Sequence, residues 1–255
     1  MCILFIAVNQ HPKYPLIIAA NRDEFHKRPT QASHFWQGQS DILAGKDLVA
    51  GGTWMGINKK GRIAALTNIR APGKERENAV SRGELVANYL VNHQPDDEYL
   101  ANLQTTHENY NGYNLLFGNI GSLQVYNSFE NTSYGLNNGV YGLSNASLNS
   151  PWPKLDAGRK ALADYCRQSG ELHYEHLFEL LMNDVAASDD ELPKTGVPID
   201  WERKLSSIFI TSEEYGTRSS TILLVDKNHN CLWEERSFDT NAKLIGQQEF
   251  KFVIN

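Results

Sequence analysis

The sequence predicts an α+β fold in which antiparallel sheets are covered by helical layers, an order that a four-layer helix-sheet-sheet-helix (αββα) sandwich satisfies. Two observations predict it. Short apolar runs come in pairs around turn residues, as hairpins do, and runs with helical spacing fall in blocks between them. The resulting order is strands, helices, strands, helices, strands. At 255 residues the chain buries a full core, as one large α/β domain or two small ones.

The first hairpin joins Ile3–Val8 to Leu16–Ala20 through the turn residues Asn9, Gln10, His11 and Pro12. Residues 25–46 are mixed and turn-rich and are expected to wrap a face of the molecule. A second hairpin spans Leu48–Asn58 and Arg62–Asn68 around Lys59-Lys60-Gly61. The Gly51-Gly52 pair has no phosphate-binding pattern around it and reads as a backbone kink at a strand start. Ser81-x-x-Glu84 reads as a capping box opening a helix over Leu85–Val91, and Asp96–Thr106 as a second helix. Tyr113–Asn119, Leu123–Asn127 and Val140–Leu143 return to strand character. Pro151-Trp152-Pro153 introduces a helix to about Gln168, stopped by Gly170, and Tyr174–Asp184 makes another. Val185–Lys204 reads as an exposed loop or lid. The remainder is strand: Ser207–Thr211, Ser219–Asp226, Cys231–Phe238 and Glu249–Ile254.

Composition excludes several classes of function. A net charge of −6 argues against a nucleic-acid or anionic-membrane surface. No run approaches the ~18 apolar residues of a membrane span, and the opening apolar run has neither basic leader nor cleavage site. Cys2, Cys166 and Cys231 are too few and too scattered for a disulfide framework or a zinc site, which points to a reducing, cytoplasmic compartment. His173 and His176 lack a third ligand in register and read as surface residues, so neither metal nor cofactor is expected.

The chemistry concentrates where the first hairpin closes. A hairpin brings its ends together, which puts Cys2 beside Asn21-Arg22-Asp23-Glu24. A methionine before a small residue is commonly removed after synthesis. Removal of Met1 would give Cys2 a thiol and a free α-amine of pKa roughly 7.7–8.0, able to act as base for its own side chain. Read alone, Cys2 is a small hydrophobe on a core strand. Beside an acid and a cation it reads as a nucleophile, with Arg22 or Arg218 expected to lower the thiol pKa.

Met1-Cys2-Ile3, Ala20 to Phe25, Gly51-Gly52-Thr53-Trp54 and Thr67-Asn68 together resemble the NRDE family, the transport and Golgi organisation protein 2 group. The resemblance runs through the whole chain, and treats 1–255 as one domain. That family is in turn similar to N-terminal-nucleophile hydrolases of the choloylglycine hydrolase and penicillin V acylase type, which implies the αββα sandwich. By this resemblance Cys2 matches the nucleophile and Asp23 the aspartate that holds the terminal amine. Asn68 matches a substrate-binding asparagine near the oxyanion, Asn145 the oxyanion-hole amide, and Arg218 a late arginine that stabilises the site. The hydrolase arginine that precedes the aspartate by three residues is here Ala20, so Arg22 lies outside the matching place. Singly, the asparagines read as turn residues and Arg218 as a solvated strand-edge cation; jointly with Cys2 and Asp23 they read as an active site.

Two functions follow. One is a thiol hydrolase that cleaves a small amide through an acyl-enzyme intermediate. The other is a carrier or chaperone of haem or of a lipid or acyl ligand on the same fold, as the family's association with Golgi organisation and haem trafficking implies.

Overall fold

The computed structural model describes residues 2–167 and 173–255. β1 (Cys2–Val8) and β2 (Leu16–Phe25) form the first hairpin. Asn9 opens its turn at φ +53°, a left-handed conformation that asparagine tolerates, and the Asn9 N–H donates to the Pro15 carbonyl at 2.7 Å. Residues 25–46 depart from expectation. They form a further hairpin, β3 (Thr30–Trp36) and β4 (Gln39–Asp47). Two register shifts in this pair break the alternation of buried and exposed residues, and with it the period-two signal of a strand.

β5 (Met55–Asn58) and β6 (Arg62–Asn68) form the second expected hairpin, but residues 48–54 are not strand. The Asp47 carboxylate accepts the N–H groups of Val49 and Ala50, its carbonyl accepts that of Gly51, and Gly51 turns at φ +77°. Helices α1 (Gly83–Val91) and α2 (Asp96–Thr106) follow. The expected capping box is not made. Arg82 is the N-cap, without a side-chain cap, and the Glu84 N–H donates to the Ser81 carbonyl instead.

β7 (Tyr113–Asn119), β8 (Ser122–Asn127), β9 (Thr132–Gly135) and β10 (Gly139–Leu143) precede α3 (Pro153–Arg167) and α4 (Glu175–Leu181). The expected stop at Gln168 and Gly170 lies outside the described residues. The segment 185–204, expected to be loop, ends in the short helix α5 (Ile199–Lys204). Ser207–Thr211 is not the expected strand, because its backbone is bonded elsewhere. The Phe209 N–H donates to the Asn183 carbonyl, and the Ile210 N–H to the Thr217 hydroxyl. β11 (Tyr215–Val225), β12 (Asn230–Phe238) and β13 (Leu244–Val253) close the chain.

Among the described residues the strands pair antiparallel in two sheets, ordered β10-β1-β2-β11-β12-β13 and β3-β4-β5-β6-β7-β8-β9. The period of two explains the layering. Leu4, Ile6, Val8, Leu16, Ile18 and Ala20 face the second sheet across an apolar interior with Leu43, Ile57, Ile63 and Leu116. Ile3, Phe5, Ala7, Ile17 and Ala19 face the other way, against Leu155 and Leu162 of α3 and Leu177 and Leu181 of α4. α1 and α2 cover the outer face of the second sheet through Val86, Tyr89, Tyr99 and Leu103. The result is the expected αββα sandwich. β1 lies inside its sheet, flanked by β10 and β2, so its first residue sits within the structure.

Candidate functional site

The β1–β2 register sets Cys2 directly opposite Arg22. Facing residues of an antiparallel pair point to the same side, with Cβ atoms about 4.5–5.5 Å apart. Alternation then sorts the Asn21–Glu24 run. Arg22 shares the inter-sheet side with Cys2, while Asn21 and Asp23 point into the helical layer. Asn21 is structural: its amide donates to the carbonyls of Leu181 and Ile208, and its carbonyl oxygen accepts from Ser220. Asp23 is buried at the end of this face and accepts from the Thr217 hydroxyl at 2.7 Å. Burial raises its pKa; the cation of Lys154, also buried, at the start of α3, opposes the rise.

Arg22 stands over the Trp54 ring, its guanidinium carbon 4.2 Å from the ring centroid. Two glycines make room for this. A Cβ on Gly45 would stand 2.2 Å from the Trp54 ring, and one on Gly52 2.4 Å from the Gly83 carbonyl carbon, where the Thr53 N–H donates to Gly83. Gly45 thus seats Trp54, and Gly52 lets the first turn of α1 approach the loop that carries it. The Gly51-Gly52 kink has this consequence. Gly45→Ala is expected to cost about 1–3 kcal/mol by overpacking. In a urea titration that penalty should vanish in a Trp54→Leu background, and an equal penalty in both backgrounds would refute the account.

Cys2, Arg22, Asp23, Trp54, Asn68 and Arg82 line a cleft of about 290 Å³. The thiol departs from expectation: burial raises its pKa and outweighs the opposing cation of Arg22. Burial also raises the thiols of Cys166 and Cys231, to about 11 and about 12.

The other expected site residues divide. Asn68 lines the cleft at the end of β6. Asn145 is buried behind it, donating its amide to the Asn68 carbonyl at 2.9 Å and accepting from Ser144. It holds Asn68 in place. Arg218 is not among the residues lining the cleft. The β2–β11 register slips between Thr217 and Ser219, and this bulge re-aims Arg218 toward the carbonyls of Phe25 and Arg28, at 3.1 and 3.0 Å. It braces the chain just beyond β2. Lys154, Thr217 and Arg82 were missed by sequence reasoning. Lys154 and Arg82 stand at helix starts, where a cation ordinarily reads as solvated; His173 and His176 are indeed exposed.

A second cleft, about 400 Å³, shares Glu24, Arg28, Asn68 and Arg82 with the first and continues to Ile69, Pro72, Val197 and Trp201.

Two solved structures of mutant forms of the conjugated bile acid hydrolase from Clostridium perfringens are similar to the whole chain. They have TM-scores of 0.52 and 0.53, 10% identity, and coverage of 100% of this chain and 97% of theirs. The αββα sandwich is therefore the fold of those structures. Sequence comparison gives the family. The model of TANGO2, Transport and Golgi organisation 2, matches residues 1–240. The Transport and Golgi organization 2 homolog of Mus musculus is 35% identical over 98% of this chain and 99% of its own length. The Drosophila melanogaster Transport and Golgi organization protein 2 is 30% identical over 93% and 92%. The chain belongs to the Transport and Golgi organisation 2 family.

Proposed function

We propose that the chain is a cysteine amide hydrolase acting on a small N-acyl or amide substrate. The observation that supports this most is the register pair Cys2–Arg22 at the mouth of a cleft, with Asp23 buried beside it on the opposite face. In this reading Met1 is removed and the α-amine of Cys2 takes the thiol proton. The sulfur attacks the carbonyl carbon and an electron pair moves to the carbonyl oxygen. Collapse breaks the C–N bond, and the ammonium returns its proton to the leaving amine. Water then hydrolyses the thioester, releasing the carboxylic acid and restoring the thiol. Asp23 orients the ammonium, Arg22 offsets the negative charge, and Asn68, held by Asn145, offers its amide to the oxyanion. No step requires a metal or cofactor. A thiol whose pKa is raised by burial must lose its proton to the amine as substrate binds, rather than rest as thiolate.

Two observations favour the alternative, a carrier of haem or of a lipid or acyl ligand: the raised thiol pKa and the commitment of Asn145 to Asn68. The test is intact mass of cell-purified protein before and after exposure to N-acyl amino acids, acyl-homoserine lactones, penicillin V and bile-salt conjugates. Loss of Met1 and an acyl adduct on Cys2 are expected. Retained Met1 removes the amine mechanism. Absence of adduct and turnover, with tight haem or fatty-acyl binding that survives Cys2→Ala, assigns the carrier function. The few, scattered cysteines support a reducing, cytoplasmic setting for either activity.

A further inference from the structure

β13 ends the six-stranded sheet, and among the described residues no strand pairs with its outer edge. It has ten residues, against seven, four and five in the other edge strands β3, β9 and β10. Its register with β12 runs unbroken from Asn230↔Val253 to Ser237↔Gly246, whereas β3 is interrupted twice. Edge strands ordinarily resist further pairing through a proline, a bulge or a charge that points inward. Between Gly246 and Val253, β13 has none of these. Phe250 and Phe252 pack edge-on against Phe35 of β3, and this fixes the alternation. Gln248, Phe250 and Phe252 lie on the inter-sheet face, and Ile245, Gln247, Glu249, Lys251 and Val253 on the outer face. A long straight row of backbone N–H and C=O groups is left open beside Ile245 and Val253, which are 64% and 56% exposed.

The charges on this strand fit a second copy of itself. Two such edges form one continuous sheet when a two-fold axis stands normal to it, so that residues opposite one another share a face. With Phe250 on the axis, Glu249 stands opposite Lys251 of the second copy, and Lys251 opposite its Glu249. Each carboxylate also keeps the ammonium of its own chain, 2.8 Å away. The four charges then alternate in sign around a rectangle. The neighbouring registers lack this match. Glu249 on the axis sets the two glutamates face to face, and Lys251 on the axis does so for the two lysines, both unfavourable. With Gln248 on the axis neither charge meets its opposite. Within one chain the Glu249–Lys251 pair is solvated, with side chains 36% and 66% exposed, and is worth little. At the junction it selects a single register.

We propose that β13 joins two copies of the chain into a symmetric dimer, merging their six-stranded sheets edge to edge with Phe250 on the two-fold axis. A single strand pair is smaller than a standard interface, so the dimer should dissociate with a constant on the order of 10 μM.

The test is sedimentation equilibrium of the full chain and of charge-exchanged variants. The unaltered chain is expected to show a monomer–dimer equilibrium. Lys251→Glu sets acid against acid and Glu249→Lys sets cation against cation, and each should weaken the dimer roughly tenfold or more. The chain carrying both substitutions should regain the original affinity. An equimolar mixture of the two single variants should form a mixed dimer, because each supplies the charge that the other lacks. Both recoveries also show that the single variants fold. Neither residue lines either cleft, so ligand binding and turnover serve as a control that the substitutions leave unchanged. A chain that stays monomeric up to about 1 mM overturns the proposal. So does a dimer that the single variants leave unchanged, or a mixture that associates no better than its components. The result does not depend on the hydrolase reading, since no step of it requires a substrate.

Discussion

Glu202→Ala should destabilise the protein by about 3–5 kcal/mol, the range for removing one member of a buried ion pair. Glu202 Oε2 lies 2.5 Å from Arg70 Nη1, and both side chains are 4% exposed. Its other oxygen accepts the N–H and hydroxyl of Thr195, at 2.9 and 2.5 Å. Arg70 Nε and Nη2 are buried without a hydrogen-bond partner among the described residues, so the guanidinium depends on this carboxylate. Burial already lowers the Arg70 pKa and Glu202 opposes that. The variant leaves the cation beside Trp152 without its hydrogen-bonded acid, with the more weakly acting charge of Asp23 still opposing its burial. A nearby pair gives the contrast. Arg203 meets Asp189 at 2.6 Å, but the side chains are 48% and 59% exposed, and Arg203→Ala should leave stability nearly unchanged. Chemical denaturation of both variants decides. Similar small losses would show that Arg70 finds another partner. Because Val197 and Trp201 line the second cleft, Glu202→Ala should also weaken binding there.

That ion pair was illegible in the sequence, and the reason is general to the chain. Arg70 and Glu202 lie in segments that carry no periodic signal, and what joins them is the packing of segment 185–204 onto the sheet ends. The sandwich was legible because β1, β2, β6 and β7 are short, nearly continuous buried runs bounded by turn residues. Residues 30–47 were not, because register shifts erase alternation where one face is solvated. The site follows the same division. The nearness of Cys2 to Arg22 and Asp23 was legible from hairpin closure, a local consequence of register, while the roles proposed for them rest on the family resemblance. The redirection of Arg218 depends on a bulge one residue long, and the commitment of Asn145 to Asn68 on a contact 77 residues apart in sequence. Lys154 was missed because its surroundings come from β2, β11 and the loop before β11, none of them near it in the chain.

Lys154→Met should abolish a rise in stability of about 3 kcal/mol between pH 8 and pH 10.5. The Lys154 ammonium is buried, donates to the Leu205 carbonyl at 2.8 Å and has its pKa pushed down to about 8, chiefly by burial, with Asp23 opposing. A folded pKa below the ordinary 10.5 gives a contribution fully present above 10.5 and lost as pH falls through about 8. At roughly 1.36 kcal/mol per unit of pKa, the interval corresponds to the stated rise. Buried tyrosines such as Tyr99 and Tyr113 are raised, so they act with the opposite sign and cancel in the difference between wild type and variant. Parallel stability curves for the two proteins over this range would show that Lys154 titrates normally. The same substitution leaves the Asp23 carboxylate without its buried cation, which raises the Asp23 pKa further. If Asp23 orients the amine of Cys2, the acid limb of the pH–rate profile should move to higher pH in Lys154→Met. A displaced stability curve with an unmoved acid limb would make the pair structural and release Asp23 from the mechanism.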